Sequence, residues 1–292
     1  MTTLLSLHRT SLFLAALLGI LATGCRTIEP DAAKAFGAAA GNARSQSQIV
    51  FAAINDLTQE NILHFAAKQT ALDESHFFLV IPKAREDQWR HAFSLMESYG
   101  HQLGRLAAFA PGEEFRESLI GLGDQLTKTT DLEVPPGLMV GFVKLGEKVL
   151  QFKARHDAMK LAVQADPEIQ NIIDLMAKAM GDHGDEKLRG TVKANFNQSI
   201  LLPIDEAFKF DAKTPEDKLR IATQYGQQLK VRESFDRQLS DLRRTLLNLG
   251  YAHAALAQGA PADVRGYVDT IQNDLADAKQ LFNQLNTEAS HE

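Results

Sequence analysis

Residues 235–256 read FDRQLSDLRRTLLNLGYAHAAL. Large apolar groups fall at Phe235, Leu239, Leu242, Leu246, Leu249 and Leu256, and His253 stands in the same series. The gaps alternate between four and three, the period of a helix that buries one stripe. The same rhythm runs from Trp89 through Met96, Tyr99 and Leu103 to Ala110, and from Phe115 to Leu126. It returns from Leu138 through Phe142, Val149, Phe152 and His156 to Val163, and from Val264 through Ile271 to Leu285. Shorter runs start at Val50 and at Leu188. No stretch alternates with period two for long enough to make a strand. The expected fold is therefore all-α, an elongated antiparallel helical bundle of about six to eight helices joined by short loops.

Turn residues punctuate the stripes. Thr214-Pro215-Glu216-Asp217 places a capping residue before a proline at the first helical position, with acids in the first turn. Asp166-Pro167-Glu168 and Pro111-Gly112-Glu113 read as helix starts on the same grounds, and Gly259 with Pro261 reads as a stop followed by a start. Pro135-Pro136-Gly137 and Gly181-Asp182-His183-Gly184 read as loops. The continuous apolar run His76–Pro82 is expected to be a buried helix end or a core-filling connection, with a short strand or a partner-binding plug as the alternatives.

The chain has 292 residues, a formal charge of −6 and one cysteine. One cysteine makes neither an internal disulfide nor a thiolate zinc site. Mild acidity without clustered Lys and Arg argues against nucleic acid as a partner. Residues 1–24 hold no acid and one strong base, Arg9, followed by an apolar run from Leu12 to Ala22. That run is shorter than the roughly 20 residues a spanning helix needs, and it has the form of a secretory h-region. Small residues follow it and lead directly to Cys25.

Leu21-Ala22-Thr23-Gly24-Cys25 resembles the lipobox of bacterial lipoproteins, departing from it in having Ala22 where leucine is common. The resemblance implies cleavage before Cys25 and a diacylglyceryl group on its sulfur. Arg26, where an aspartate would favour the inner membrane, implies an outer-membrane anchor facing the periplasm if the cell is Gram-negative. Each buried methylene of an acyl chain contributes about 0.8 kcal/mol, and two or more chains anchor firmly. The expected organisation is a signal peptide over 1–24, a tether rich in Ala, Gly, Ser and Gln over 25–48, and a helical bundle domain over 49–292. Tyr99-Gly100-His101-Gln102-Leu103 and Tyr251-Ala252-His253-Ala254-Ala255-Leu256 also resemble segments of proteobacterial helical lipoproteins that have no assigned activity, which supports fold and address only.

Nine histidines are the natural candidates for chemistry. Glu60 and His64, Asp87 and His91, and Glu97 and His101 share helix faces at i, i+4, yet the Glu-x-x-His of di-iron bundles and the His-Glu-x-x-His of zinc peptidases are absent. No metal and no cofactor is expected. His156 and His253 differ because both sit on apolar stripes; a polar seam residue sets register, and a ligand or pH-sensing role is the alternative. The mixed-sign stretch around Lys230, Arg232, Arg237, Arg243 and Arg244 reads as a solvated face. With no nucleophile or phosphate loop in evidence, the expected work is binding or scaffolding with an envelope protein partner. The alternative is a small-ligand carrier or sensor with a pocket near His156 and His253. An enzyme ranks last.

Overall fold

A computed structural model describes residues 27–66, 71, 79–108, 113–128, 135, 137–151 and 158–289. Helix α1 spans Pro30–Ala66, α2 Lys83–Ala107, α3 Glu113–Thr127, α4 Leu138–Gln151 and α5 Ala158–Met180. Helix α6 spans Lys187–Phe196 and runs through a π-helical turn, Asn197–Leu201, into α7, Leu202–Phe210. Helix α8, Pro215–Gln258, and α9, Pro261–Ala289, complete the order. Among the described residues there is no strand, so the all-α bundle expected from the stripes is what forms. At about 1.5 Å per residue the 44-residue α8 alone runs roughly 66 Å, which makes the bundle elongated.

The stretch expected to be a tether is not one from Pro30 onward. Alanines 32, 33, 39, 40 and 43 are buried together with Phe36, and α1 packs along α2, α8 and α9. Alanine and glycine, which gave 25–48 its linker-like composition, are what a close helix–helix seam uses. Gly37 lies against Gly100, Lys34 against Gly104, Glu97 against Gly41, and Phe51 against Trp89, so α1 and α2 run antiparallel. A Cβ on Gly100 would stand 2.6 Å from the Gly37 backbone, and one on Gly104 would stand 2.7 Å from the Lys34 side chain. The seam admits no side chain at Gly100 without separating the helices.

The α3–α4, α4–α5 and α8–α9 pairs are also antiparallel, whereas α1 and α9 run parallel, with Glu29 beside Arg265. Gly123 meets Leu150 while Gly146 meets Thr127, which sets α3 against α4; Gly141 meets Ile172, which sets α4 against α5. Arg244 reaches Asp274 and Tyr251 packs on Tyr267, pairing α8 with α9. The Thr214 cap forms as expected: its hydroxyl accepts from the Asp217 N–H, and Asp217 answers with a bond from the Thr214 N–H. Gly259 closes α8 in the left-handed region at φ 67°. Leu79 to Pro82, the described end of the apolar run, is a connection that fills core. Val80 and Ile81 are buried, and the Asn55 amide bonds the Ile81 backbone through both N–H and C=O. The start of that run and the Pro111 turn lie outside the described residues.

Two expected boundaries are corrected. The stripe from Leu138 to Val163 is shared between α4 and α5, with residues 152–157 outside the description. Asp166-Pro167 starts no helix, because Pro167 lies inside α5. Its ring removes one N–H from the helix interior, a cost of about 3 kcal/mol when nothing compensates. Pro167 is exposed, as is Val163, whose carbonyl the ring leaves without its helical donor. Pro203 has a different solution: the π turn directly before it relaxes the helix where its N–H is missing.

Gly100→Ala is expected to cost about 1–3 kcal/mol by forcing α1 from α2. Gly226→Ala, in α8 with nothing within 4 Å of an added Cβ, is expected to gain up to about 1 kcal/mol. Thermal unfolding followed by circular dichroism compares the two; equal shifts would remove the seam from the account.

Candidate functional site

His253 is fully buried on α8 and ties three helices together. Its Nε2 lies 3.0 Å from the Tyr99 hydroxyl on α2, and its Nδ1 lies 2.8 Å from Asp166 Oδ1 on α5. Phe36 of α1 sets its ring edgewise on the imidazole at 5.4 Å, and the Tyr99 ring lies 5.6 Å away. A carboxylate only accepts, so Nδ1 carries the proton given to Asp166, and Nε2 then accepts from the Tyr99 O–H. With the ring neutral, every group in the chain Tyr99–His253–Asp166 is satisfied. Gln170 adds to it: its two amide protons go to Asp166 Oδ1 at 3.0 Å and to the Gly250 carbonyl at 2.8 Å.

The electrostatics follow from burial. Desolvation, reinforced by the charge of Asp166, pushes the Tyr99 phenol far above its usual range, so it stays a donor. For Asp166 partial burial works to raise the carboxyl, but the hydrogen bonds from His253 and Gln170 outweigh it and hold it below its usual value. Chemically this is a satisfied polar pin between helices. Both ring nitrogens are engaged, and Tyr99 is 1% exposed.

The two Tyr-x-His segments explain why these residues and not others meet. Residues two apart on a helix point about 200° apart, so only one of each pair can face inward. The first segment turns Tyr99 in and leaves His101 exposed; the second turns His253 in and leaves Tyr251 at 52% exposure. A buried histidine on a leucine stripe already announces that partners are needed. Tyr99 is legible as one, because it too lies on a stripe, whereas Asp166 before Pro167 has the local pattern of a cap.

His156, Cys25 and the lipobox residues Leu21, Ala22, Thr23 and Gly24 lie outside the described residues, as do the side chains of Glu60 and His64. Asp87 pairs with Arg90 at 2.7 Å and Glu97 with Arg44 at 2.8 Å, so neither turns to the histidine four places on. No cluster of three or more potential metal ligands occurs among the described residues. The mixed-sign stretch keeps Lys230, Arg237 and Arg244 exposed and also supplies ties between helices. Asp236 receives two bonds of 2.8 Å from Arg189, Arg244 joins Asp241 to Asp274, and Arg243 pairs with Asp182.

A second feature lies on the surface. Helix α7 buries none of its side chains, and of residues 215–234 in α8 only Ile221 is buried. The hairpin these segments form shows water Leu202, Phe208, Phe210 and Leu219, the last two at 69% and 70% exposure. Lys218 holds its ammonium 6.0 Å from the Phe208 ring. These exposed apolar side chains lie close together in the sequence, on two successive segments. Residues 202–219 carry no regular stripe, and that was the available signal.

Among the described residues no helix is long and apolar enough to cross a membrane. Comparison with known proteins finds no matching family model, no matching curated protein and no matching solved structure.

Tyr99→Phe leaves the buried Nε2 without a donor and is expected to cost about 1–3 kcal/mol. The sign of the pH dependence follows from Asp166. A carboxyl held below its usual 3.8 stabilises fully above that value, and the contribution fades as pH falls through the lower folded value. Asp166→Asn should therefore be less stable than the parent at neutral pH, with the gap narrowing below about pH 4 in urea titrations. A gap constant with pH would reject the pairing.

Proposed function

We propose that the chain is a lipid-anchored protein of the cell envelope, facing the periplasm, that works as a helical binding or scaffolding module. The exposed hairpin of α7 and the first half of α8 carries this reading. Phe210 and Leu219 are largely exposed on it, and Leu202 and Phe208 partly so. Exposing them costs solubility, and a protein partner that buries them recovers the hydrophobic contribution, about 25 cal/mol per Å².

The anchor rests on Leu21-Ala22-Thr23-Gly24-Cys25 and the short apolar run before it. Acylation at Cys25 would hold the bundle at a membrane surface, where the local concentration of an envelope partner is high. The carrier reading, with a pocket near His156 and His253, gains no support at His253. A ligand there would have to displace the Tyr99 hydroxyl or the Asp166 carboxylate from the ring.

Intact mass of the processed chain tests the anchor: the expected mass begins at Cys25 and includes acyl groups, and a chain beginning at a free Cys25 thiol overturns it. Photo-crosslinking from position 210 in intact cells tests the surface. The expected result is a defined envelope protein, lost when Phe208 and Leu219 are both changed to Ser while the circular dichroism is unchanged. Recovery of nothing above background, or crosslinks indifferent to the double substitution, removes the hairpin from its role.

A further inference from the structure

A cavity of about 370 Å³ lies between α2, α5 and α6. That volume falls in the range of about 300–1,000 Å³ in which small-molecule sites are found. Much of its wall is apolar: Trp89 comes from α2, Leu175 and Ala179 from α5, and Leu188 from α6. Each of the three helices also adds a cation, Arg85, Lys178 and Lys187 respectively, and no carboxylate lines the cavity among the described residues. The chain carries 37 acids against 31 Lys and Arg, so three cations without an acid run against its overall balance.

Two of these cations lack a counter-charge. Lys178 pairs with Asp174 at 2.7 Å, but Arg85 and Lys187 make no ion pair among the described residues. Arg85 is half-buried, where a charge is screened less than in open water. Lys187 is held at the cavity by a tight turn. It opens α6 at φ 49°, and among the described residues it is the one non-glycine residue with positive φ. Gly181 and Gly190 make the turn possible: a Cβ on them would stand 2.4 Å from the carbonyl oxygens of Glu186 and Asp185, respectively. Keeping a lysine in this region costs free energy. The turn sets Lys187 and Leu188, one cation and one apolar group, next to each other on the cavity wall.

We propose that this cavity binds a small amphipathic anion. Its apolar tail lies against Trp89, Leu175 and Leu188, and its single oxyanion head, a carboxylate or a phosphate monoester, is held by Arg85 and Lys187. The planar fork of an arginine matches either head with two hydrogen bonds, and a lysine adds a point charge. Burial of the tail supplies the hydrophobic part of the affinity, and the cations supply the preference for an anion. The cavity shares no residue with the exposed hairpin of α7 and α8.

Trp89 is the only tryptophan of the chain, so its emission reports on the cavity directly. Octanoate and octyl phosphate are the probes, titrated at neutral pH into the full chain in detergent. Octanol lacks the head, and acetate and inorganic phosphate lack the tail. The expected result is a saturable change in Trp89 emission with at least one probe, in about the millimolar range or tighter, and none with the three comparators. The tighter probe names the head. Arg85→Gln and Lys187→Gln should each weaken binding about tenfold or more, with circular dichroism unchanged. No saturable change with either probe overturns the proposal, as does binding indifferent to both substitutions. Saturation by octanol over the same range reduces the cavity to an apolar recess, and saturation by acetate or phosphate reduces it to a surface anion site; either overturns it too.

Discussion

A histidine sealed among leucines must find partners for both nitrogens, and most of this bundle is arranged so that His253 does. Tyr99 and Asp166 come from α2 and α5, and neither can reach the imidazole unless those helices press close to α8. Glycines stand where the close approaches occur. Gly100 follows Tyr99 and touches Gly37, which follows Phe36, whose ring covers the imidazole. Gly250 lies one turn before His253 and has the Gln170 amide where a side chain would begin. The polar chain and the glycine seam are one structural unit: each fixes the distance that the other needs. A network of this kind selects register, because a shift of one helical turn would leave several buried groups unpaired.

This dependence explains what was legible. The stripes on α2, α4, α8 and α9 could be read directly, because leucine and phenylalanine at spacings of three and four have one physical use in water. Thr214 and Gly259 could be read because a cap is decided within four residues. Helix α1 was misread for the opposite reason. Its buried stripe from Ala32 to Ala43 is made of alanine around a single Phe36, and alanine is equally at home in a linker. Only the partner, Gly100 and Gly104 on α2, distinguishes a seam from a tether. Pro167 has a local meaning too, a helix start, yet it lies inside α5 beside Asp166, whose partner His253 is 87 residues away in the chain. Gln46 and Gln238 are buried with neither amide atom hydrogen-bonded in the protein, and no sequence signal marks them, since a glutamine on a helix is ordinarily a surface residue.

The long helix α8 carries three regions in series. Its Thr214-capped end belongs to the exposed hairpin, its middle, at Gln238 to Arg244, to the contact with α1 and α9, and its last turns to the His253 network. At about 1.5 Å per residue, Leu219 and Gln238 are roughly 28 Å apart, and Gln238 and His253 roughly 22 Å. Energetic effects in the three regions should add, as they do for sites more than about 10 Å apart without shared partners.

That separation shapes the functional reading. The His253 network engages both ring nitrogens, seals His253 and Tyr99 and leaves only Asp166 partly open to solvent, which is how a structural element behaves. The hairpin retains an unmet physical demand, apolar area in water. Binding is the process that answers such a demand, and apolar side chains ask for a large complementary face. A bundle pinned at His253 carries that demand on a separate stretch of the same long helix.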